Sequence, residues 1–303
     1  MAVFSNSKIA YNPFRKMGDI NLFSKQLSYA VKSINPPNNL HDNMSIEMLL
    51  LKENPITKEP SDFNSLGFRS EEFSNTHLGE HILFAGCSET FGVGLSLTET
   101  WSYKLFKKIS ELRETSGYYN LSDGGIGFAT IIPNIFKYCL DYGNPSTIFV
   151  NLPNVLRFYT FIDGVYHYDS SIERSLGLAF RDTDSRQAEF HKYYILYYQY
   201  YLMLEAFCVT NKINLFSFSW DINSHDQKEK VLCTQDIFKE FGFDTFYQVD
   251  KDKLYLYVEE WIKNNKDYED LAITARDNQH SGIAINDFWS EMMFKSYIDR
   301  TSK

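Results

Sequence analysis

Ser88 stands where an apolar run breaks off. Residues 82–92 read ILFAGCSETFG, so four apolar residues meet Gly-Cys-Ser, with a second glycine four positions after the serine. A serine at such a bend either caps a helix or is presented as a nucleophile. The second role needs a base, a carboxylate to orient the base, and donors for a developing oxyanion. The chain offers each of these elsewhere. His280 and Asp277 lie three apart in ARDNQHSG, Gly125 closes the glycine pair of NLSDGGIG, and Asn154 ends NLPN. A second acid–base pair, Asp221 and His225 in SWDINSHD, could replace the first, orient a substrate, bind a metal or sit in a solvated loop. Singly, each signal has a plain structural reading: a helix cap, a surface turn, a loop.

These residues need a scaffold that brings them together. HILFAG, STIFVNLP and INLFSFSW read as buried strands, YYNLS as a shorter strand and DTFYQV as a weak fifth. Between them lie helical patterns. ETWSYKLFKKISELRE spaces Trp101, Leu105, Ile109 and Leu112 at intervals of three and four. FATIIPNIFKYCLDYG, the long AEFHKYYILYYQYYLMLEAFCVTNK, TQDIFKEFG and the closing INDFWSEMMFKSYI supply further helices. Strand–helix alternation with continuously apolar strands predicts an α/β three-layer sandwich around a parallel sheet of about five strands. In such sheets reactive groups gather beyond the carboxyl ends of the strands. Ser88, the 120–127 loop, Asn154 and Asp221 all follow predicted strands. Residues 1–78 read as an irregular extension with a short helix at 45–52, residues 79–303 as the α/β domain, and 155–186 as a loop-rich insertion.

In this order, the blocks resemble the SGNH (GDSL-type) hydrolase superfamily. Gly86-Cys87-Ser88-Glu89-Thr90-Phe91-Gly92 is similar to its first block, Asn120 to Gly125 to its second, Leu152-Pro153-Asn154 to its third, and Asp277 to His280 to its last. The resemblance covers about 81–295 and implies a flavodoxin-like fold and a serine esterase. In that reading Ser88, His280 and Asp277 form the triad, and Ser88 N–H, Gly125 N–H and Asn154 form the oxyanion hole. No cofactor is needed, and carbohydrate O-acetyl esters are the first substrates to test. Two positions depart from the pattern: Cys87 replaces the usual aspartate, and Leu152 replaces a glycine. An O-acyltransferase using the same serine and an inactive, glycan-binding relative are the alternative readings.

The bulk properties bound the rest. A net charge of −9 over 303 residues argues against a nucleic-acid partner. No apolar run is long enough to span a bilayer, and the first residues lack a signal-peptide pattern, so a cytoplasmic protein with a small-molecule or glycan ester substrate is expected. Cys87, Cys139, Cys208 and Cys233 show no zinc-type spacing and read as reduced thiols; no metal is expected. The tyrosines between 193 and 201 read as a helix buried over much of its circumference, with stacking on sugar rings as the sharper alternative.

Overall fold

The computed structural model describes residues 63–66, 68–124, 126–155, 158–162, 165–169, 183–221, 234–276 and 280–302. The expected helix at 45–52 lies outside them, as do Gly125, His225, Cys233 and Asp277.

Four parallel strands form the central sheet: β1 (Ile82–Gly86), β2 (Tyr119–Asn120), β3 (Thr147–Leu152) and β6 (Asn214–Ser219), in the order β2-β1-β3-β6. Consecutive strands in this sheet are joined through helices, as parallel pairing requires. The order is that of a flavodoxin-like doubly wound sheet. The expected fifth strand is reduced to one parallel bridge, Ser217 to Phe246, beyond β6. A side chain interrupts the ladder there. The Gln235 amide accepts from Val249 N–H at 2.7 Å and donates to Val249 C=O at 2.8 Å, taking both bonds that an adjoining strand would make.

Strand side chains alternate between two faces, and both are covered, which is why the strands are apolar throughout. One face carries Leu83, Ala85, Ile148, Val150 and Leu215 against α3 (Phe128–Tyr142), α4 (Thr183–Thr210) and α5 (Thr234–Phe241). The other carries Ile82, Phe84, Phe149, Phe216 and Phe218 against α2 (Trp101–Leu112), α6 (Lys251–Asn264) and α7 (Ile283–Thr301). On that second face Phe84, Phe149 and Phe216 stand opposite one another in register, stacked at centroid spacings of 5.4 and 5.0 Å. Such offset aromatic pairs add to burial itself.

Two stretches differ from the sequence reading. The 155–186 insertion contains an antiparallel hairpin, β4 (Phe158–Ile162) with β5 (Val165–Asp169). Asp163-Gly164 between two aromatic-rich runs is the signal for it. The core also extends to the N-terminal side of residue 79: Phe68 is fully buried, and Leu66 and Phe73 pack against the same cluster. The tyrosines of α4 resolve into a single inward stripe. Tyr197, Tyr201, Leu204 and Cys208 are buried at helical spacing, and Tyr198 packs on Phe241 and Phe243. Burial in the core, rather than sugar stacking, accounts for Tyr197 and Tyr201.

Candidate active site

The bend after β1 is built from glycine outward. Cys87 is extended and fully buried in the core, and the four-residue helix α1 (Ser88–Phe91) follows at once. Thr90 and Phe91 N–H both donate to Cys87 C=O, at 3.0 and 2.9 Å. A β-carbon on Gly86 would strike the Thr90 side chain, lying 2.8 Å from its Cβ and nearer still to its hydroxyl. Only glycine lets α1 fold back so tightly on its own strand. Gly92 ends the helix in the left-handed region, with φ of 79°, and its N–H bonds Ser88 C=O. Ser88 itself is 4% exposed. Its N–H precedes the first intrahelical acceptor, so helix geometry provides it no partner.

Arg69, from the segment ahead of the sheet, holds the far end of this turn. Its guanidinium donates to Phe91, Gly92 and Leu95 C=O, each at 3.0 Å. One planar fork thereby binds the last carbonyl of α1 together with two carbonyls of the turn that follows it.

The segment bearing His280 is brought to this bend. Thr274 and Ser281 form an antiparallel bridge, Ala275 N–H donates to His280 C=O at 2.8 Å, and Gly282 N–H donates to Ile273 C=O at 2.7 Å. Asp277 lies outside the described residues. Ser281 N–H donates to Glu89 Oε2 at 3.2 Å, across 192 positions of chain, and Glu89 is buried beside Ser88. A second tie is ionic. Arg276 forms a two-point pair with Glu99, at 2.6 and 2.8 Å. Desolvation raises the Glu99 pKa, but the Arg276 and Ser96 hydrogen bonds outweigh it and bring it down to about 2. Glu99 also accepts from Ser96 N–H, closing the capping box of a 3-10 turn, Leu97–Glu99.

Asn154 and Asp221 come from the ends of adjacent strands and meet. Asn154 Nδ2 donates to Asp221 Oδ2 at 3.0 Å. The same oxygen accepts from Thr234 N–H at 2.9 Å and Thr234 Oγ1 at 2.8 Å. Asp221, 2% exposed, thus fastens the ends of β3 and β6 to the start of α5. Its rival partner, His225, lies outside the described residues. At the end of β2, Asn120 Oδ1 accepts from Ser122 N–H at 2.9 Å and its Nδ2 donates to Tyr118 Oη at 2.8 Å. Asp123 Oδ1 accepts from Gly124 N–H at 2.8 Å. Gly125 follows, outside the described residues.

Ser88, the 121–124 loop, Asn154 and Asp221 therefore share the carboxyl edge of the sheet, and the His280 turn reaches it through Glu89. Among the described residues no three His, Cys, Asp or Glu side chains gather as metal ligands, and no helix is long and apolar enough to cross a membrane. Sequence reasoning missed Glu89, Arg69 and Arg276. Glu99 was readable from Ser96-x-x-Glu99, whereas the others act across long stretches of chain and leave no local pattern.

No protein-family model and no curated protein matches the sequence. Solved structures similar to the chain include a psychrotrophic esterase, EstA, from Pseudoalteromonas sp., at 14% identity over 73% of this chain and 98% of that one, with a TM-score of 0.41. A member of the lipolytic protein G-D-S-L family from Veillonella parvula is 12% identical over 71% and 97%, with a TM-score of 0.40. The acetyl xylan esterase Est2A from Butyrivibrio proteoclasticus is 12% identical over 74% of this chain and 64% of that one, with a TM-score of 0.40.

Proposed function

We propose that the chain is a serine ester hydrolase of SGNH type working through an acyl-enzyme. The observation that supports this is the bond from Ser281 N–H to Glu89, which joins the neighbour of His280 to the neighbour of Ser88. The roles of Gly125 and Asp277 rest on the sequence resemblance.

In the proposed cycle, Ser88 Oγ attacks the ester carbonyl carbon while His280 takes the hydroxyl proton, held in orientation by Asp277. The carbonyl electron pair moves onto oxygen, and the oxyanion is met by Ser88 N–H, Gly125 N–H and an Asn154 amide proton. Collapse expels the alcohol, which takes the proton from His280. A water molecule then repeats the sequence on the acyl-enzyme and releases the acid. One Asn154 amide proton is committed to Asp221, which fixes the plane of the amide and so the direction of the other. Within the class, an O-acetyl group on carbohydrate is the proposed substrate. It follows from the family resemblance alone, since the α4 tyrosines face the core.

Turnover of p-nitrophenyl acetate by the full chain is the test. Ser88→Ala is expected to reduce kcat at least about 1000-fold. Unchanged turnover in that variant excludes the serine mechanism. Transfer of the acetyl group to an added sugar hydroxyl in preference to water would reassign the protein as an acyltransferase. Absence of both reactions in the wild type favours an inactive binding protein.

A further inference from the structure

Both peptide groups flanking Ser281, the residue after His280, are held by side chains that local chain geometry does not require. The N–H side is held by Glu89, as described. The C=O side is held by Asn286, a fully buried amide in the first turns of α7. Asn286 Nδ2 donates to Ser281 C=O at 3.1 Å and to Gly282 C=O at 3.0 Å, while its Oδ1 accepts from Trp101 N–H at 3.0 Å. Trp101 opens α2, so that N–H has no intrahelical partner. The amide thus bolts the His280 turn to the element that closes the loop running from Ser88 to Thr100. A buried amide is costly unless fully bonded, and α7 also presents Ala284, Trp289, Met293 and Tyr297 to this core. A donor pair and an acceptor on one short side chain are what the site needs, and asparagine is the residue that supplies both.

We propose that Glu89 and Asn286 form a two-point clamp on Ser281 that positions His280 for proton transfer with Ser88. The clamp rests on the hydrolase reading above. Both bond the backbone around Ser281 and are assigned as positioning residues, acting on His280 through the chain that carries it. Misplacing a catalytic group by about 1 Å costs on the order of 100-fold in rate, and the loss falls on kcat rather than KM because substrate contacts are untouched.

The test uses the full chain with Glu89→Ala, Glu89→Gln and Asn286→Asp. Glu89→Gln keeps an acceptor for Ser281 N–H. Asn286→Asp keeps the acceptor for Trp101 and replaces only the donor to the two carbonyls. Two readouts are taken: kcat and KM on p-nitrophenyl acetate, and amide hydrogen exchange at Ser281. The clamp predicts that Glu89→Ala and Asn286→Asp lower kcat about 10- to 100-fold with KM within about threefold, and accelerate exchange at Ser281. Glu89→Gln should recover most of both. Should Asn286→Asp fail to fold, the Glu89 pair decides alone. Faster exchange with unchanged kcat overturns the clamp and leaves the hydrolase reading standing. A wild type without turnover, whose Ser281 exchange still responds to the variants, overturns the hydrolase reading and with it the positioning role. Exchange at Ser281 indifferent to all three variants refutes the clamp whatever the activity.

Discussion

His81, buried at the entry to β1, makes stability depend on pH in a calculable way. The His77 and His81 rings are stacked, with centroids 3.5 Å apart and planes within 18°. His81 is 4% exposed, its Nε2 lies 2.8 Å from Tyr138 Oη, and Tyr119 closes the pocket edge-on. His77 Nε2 is 2.7 Å from Tyr142 C=O at the end of α3. Burial disfavours the imidazolium, the neighbouring His77 adds to this, and the Asn144 backbone offsets part, so the His81 pKa falls from 6.5 to about 4. The folded state therefore prefers neutral His81. Below pH about 6.5 the unfolded chain gains a proton that the native state refuses, so stability falls with pH until about 4, where both states carry the charge. Evaluated between pH 8 and pH 5, the linkage removes about 2 kcal/mol. Urea denaturation of the wild type and His81→Gln at pH 8, 7, 6 and 5 isolates the effect. The gap in unfolding free energy between them should shift by about 2 kcal/mol in favour of the variant as pH drops. A gap constant to within about 0.5 kcal/mol would refute the desolvation argument, because it would mean that His81 takes up its proton as readily folded as unfolded.

Further outcomes follow from the same contacts. Gly86→Ala should destabilise the fold by about 1–3 kcal/mol, from overpacking against Thr90, and should abolish esterase turnover in the fraction that folds, measured by urea melts and p-nitrophenyl acetate hydrolysis. Arg276→Met leaves a partly buried Glu99 without its cation and should cost about 1–3 kcal/mol at pH 7. Because Glu99 is held at a pKa of about 2, the stabilisation is present above the ordinary carboxylate value near 4.5. It is lost only as pH falls from there towards 2, so melts of wild type and variant should converge in that window and not between pH 5 and 8.

Much of this architecture is legible in the sequence because burial on both faces writes itself as continuous apolar runs. ILFAG, TIFVNL and NLFSFS were readable as strands for that reason, and the Trp101–Leu112 periodicity as a helix. DTFYQV falls short of a fifth strand because its pairing with Ser217 of β6 stops at one bridge and Val249 turns to the Gln235 side chain, which no local pattern announces. Helix α6 left little trace because it buries few positions, chiefly Leu254 and Val258. The bend at Ser88 could be read from its two glycines, each demanded by a close approach or a left-handed backbone. Glu89, Arg69, Asn286 and Arg276 could not. Glu89, Arg69 and Arg276 bond partners 22 to 192 positions away, as does Asn286 through Trp101, and a buried polar side chain looks the same in sequence as one exposed to solvent.

In the proposed mechanism Ser88 is a nucleophile served by a base from the far end of the chain. Incubation with a serine-directed phosphonate, followed by peptide mass mapping, tests it most directly. A single adduct is expected on the peptide containing Ser88, absent in Ser88→Ala and formed much more slowly in His280→Ala. An adduct on another residue, or labelling of Ser88 that proceeds at the same rate without His280, would contradict it.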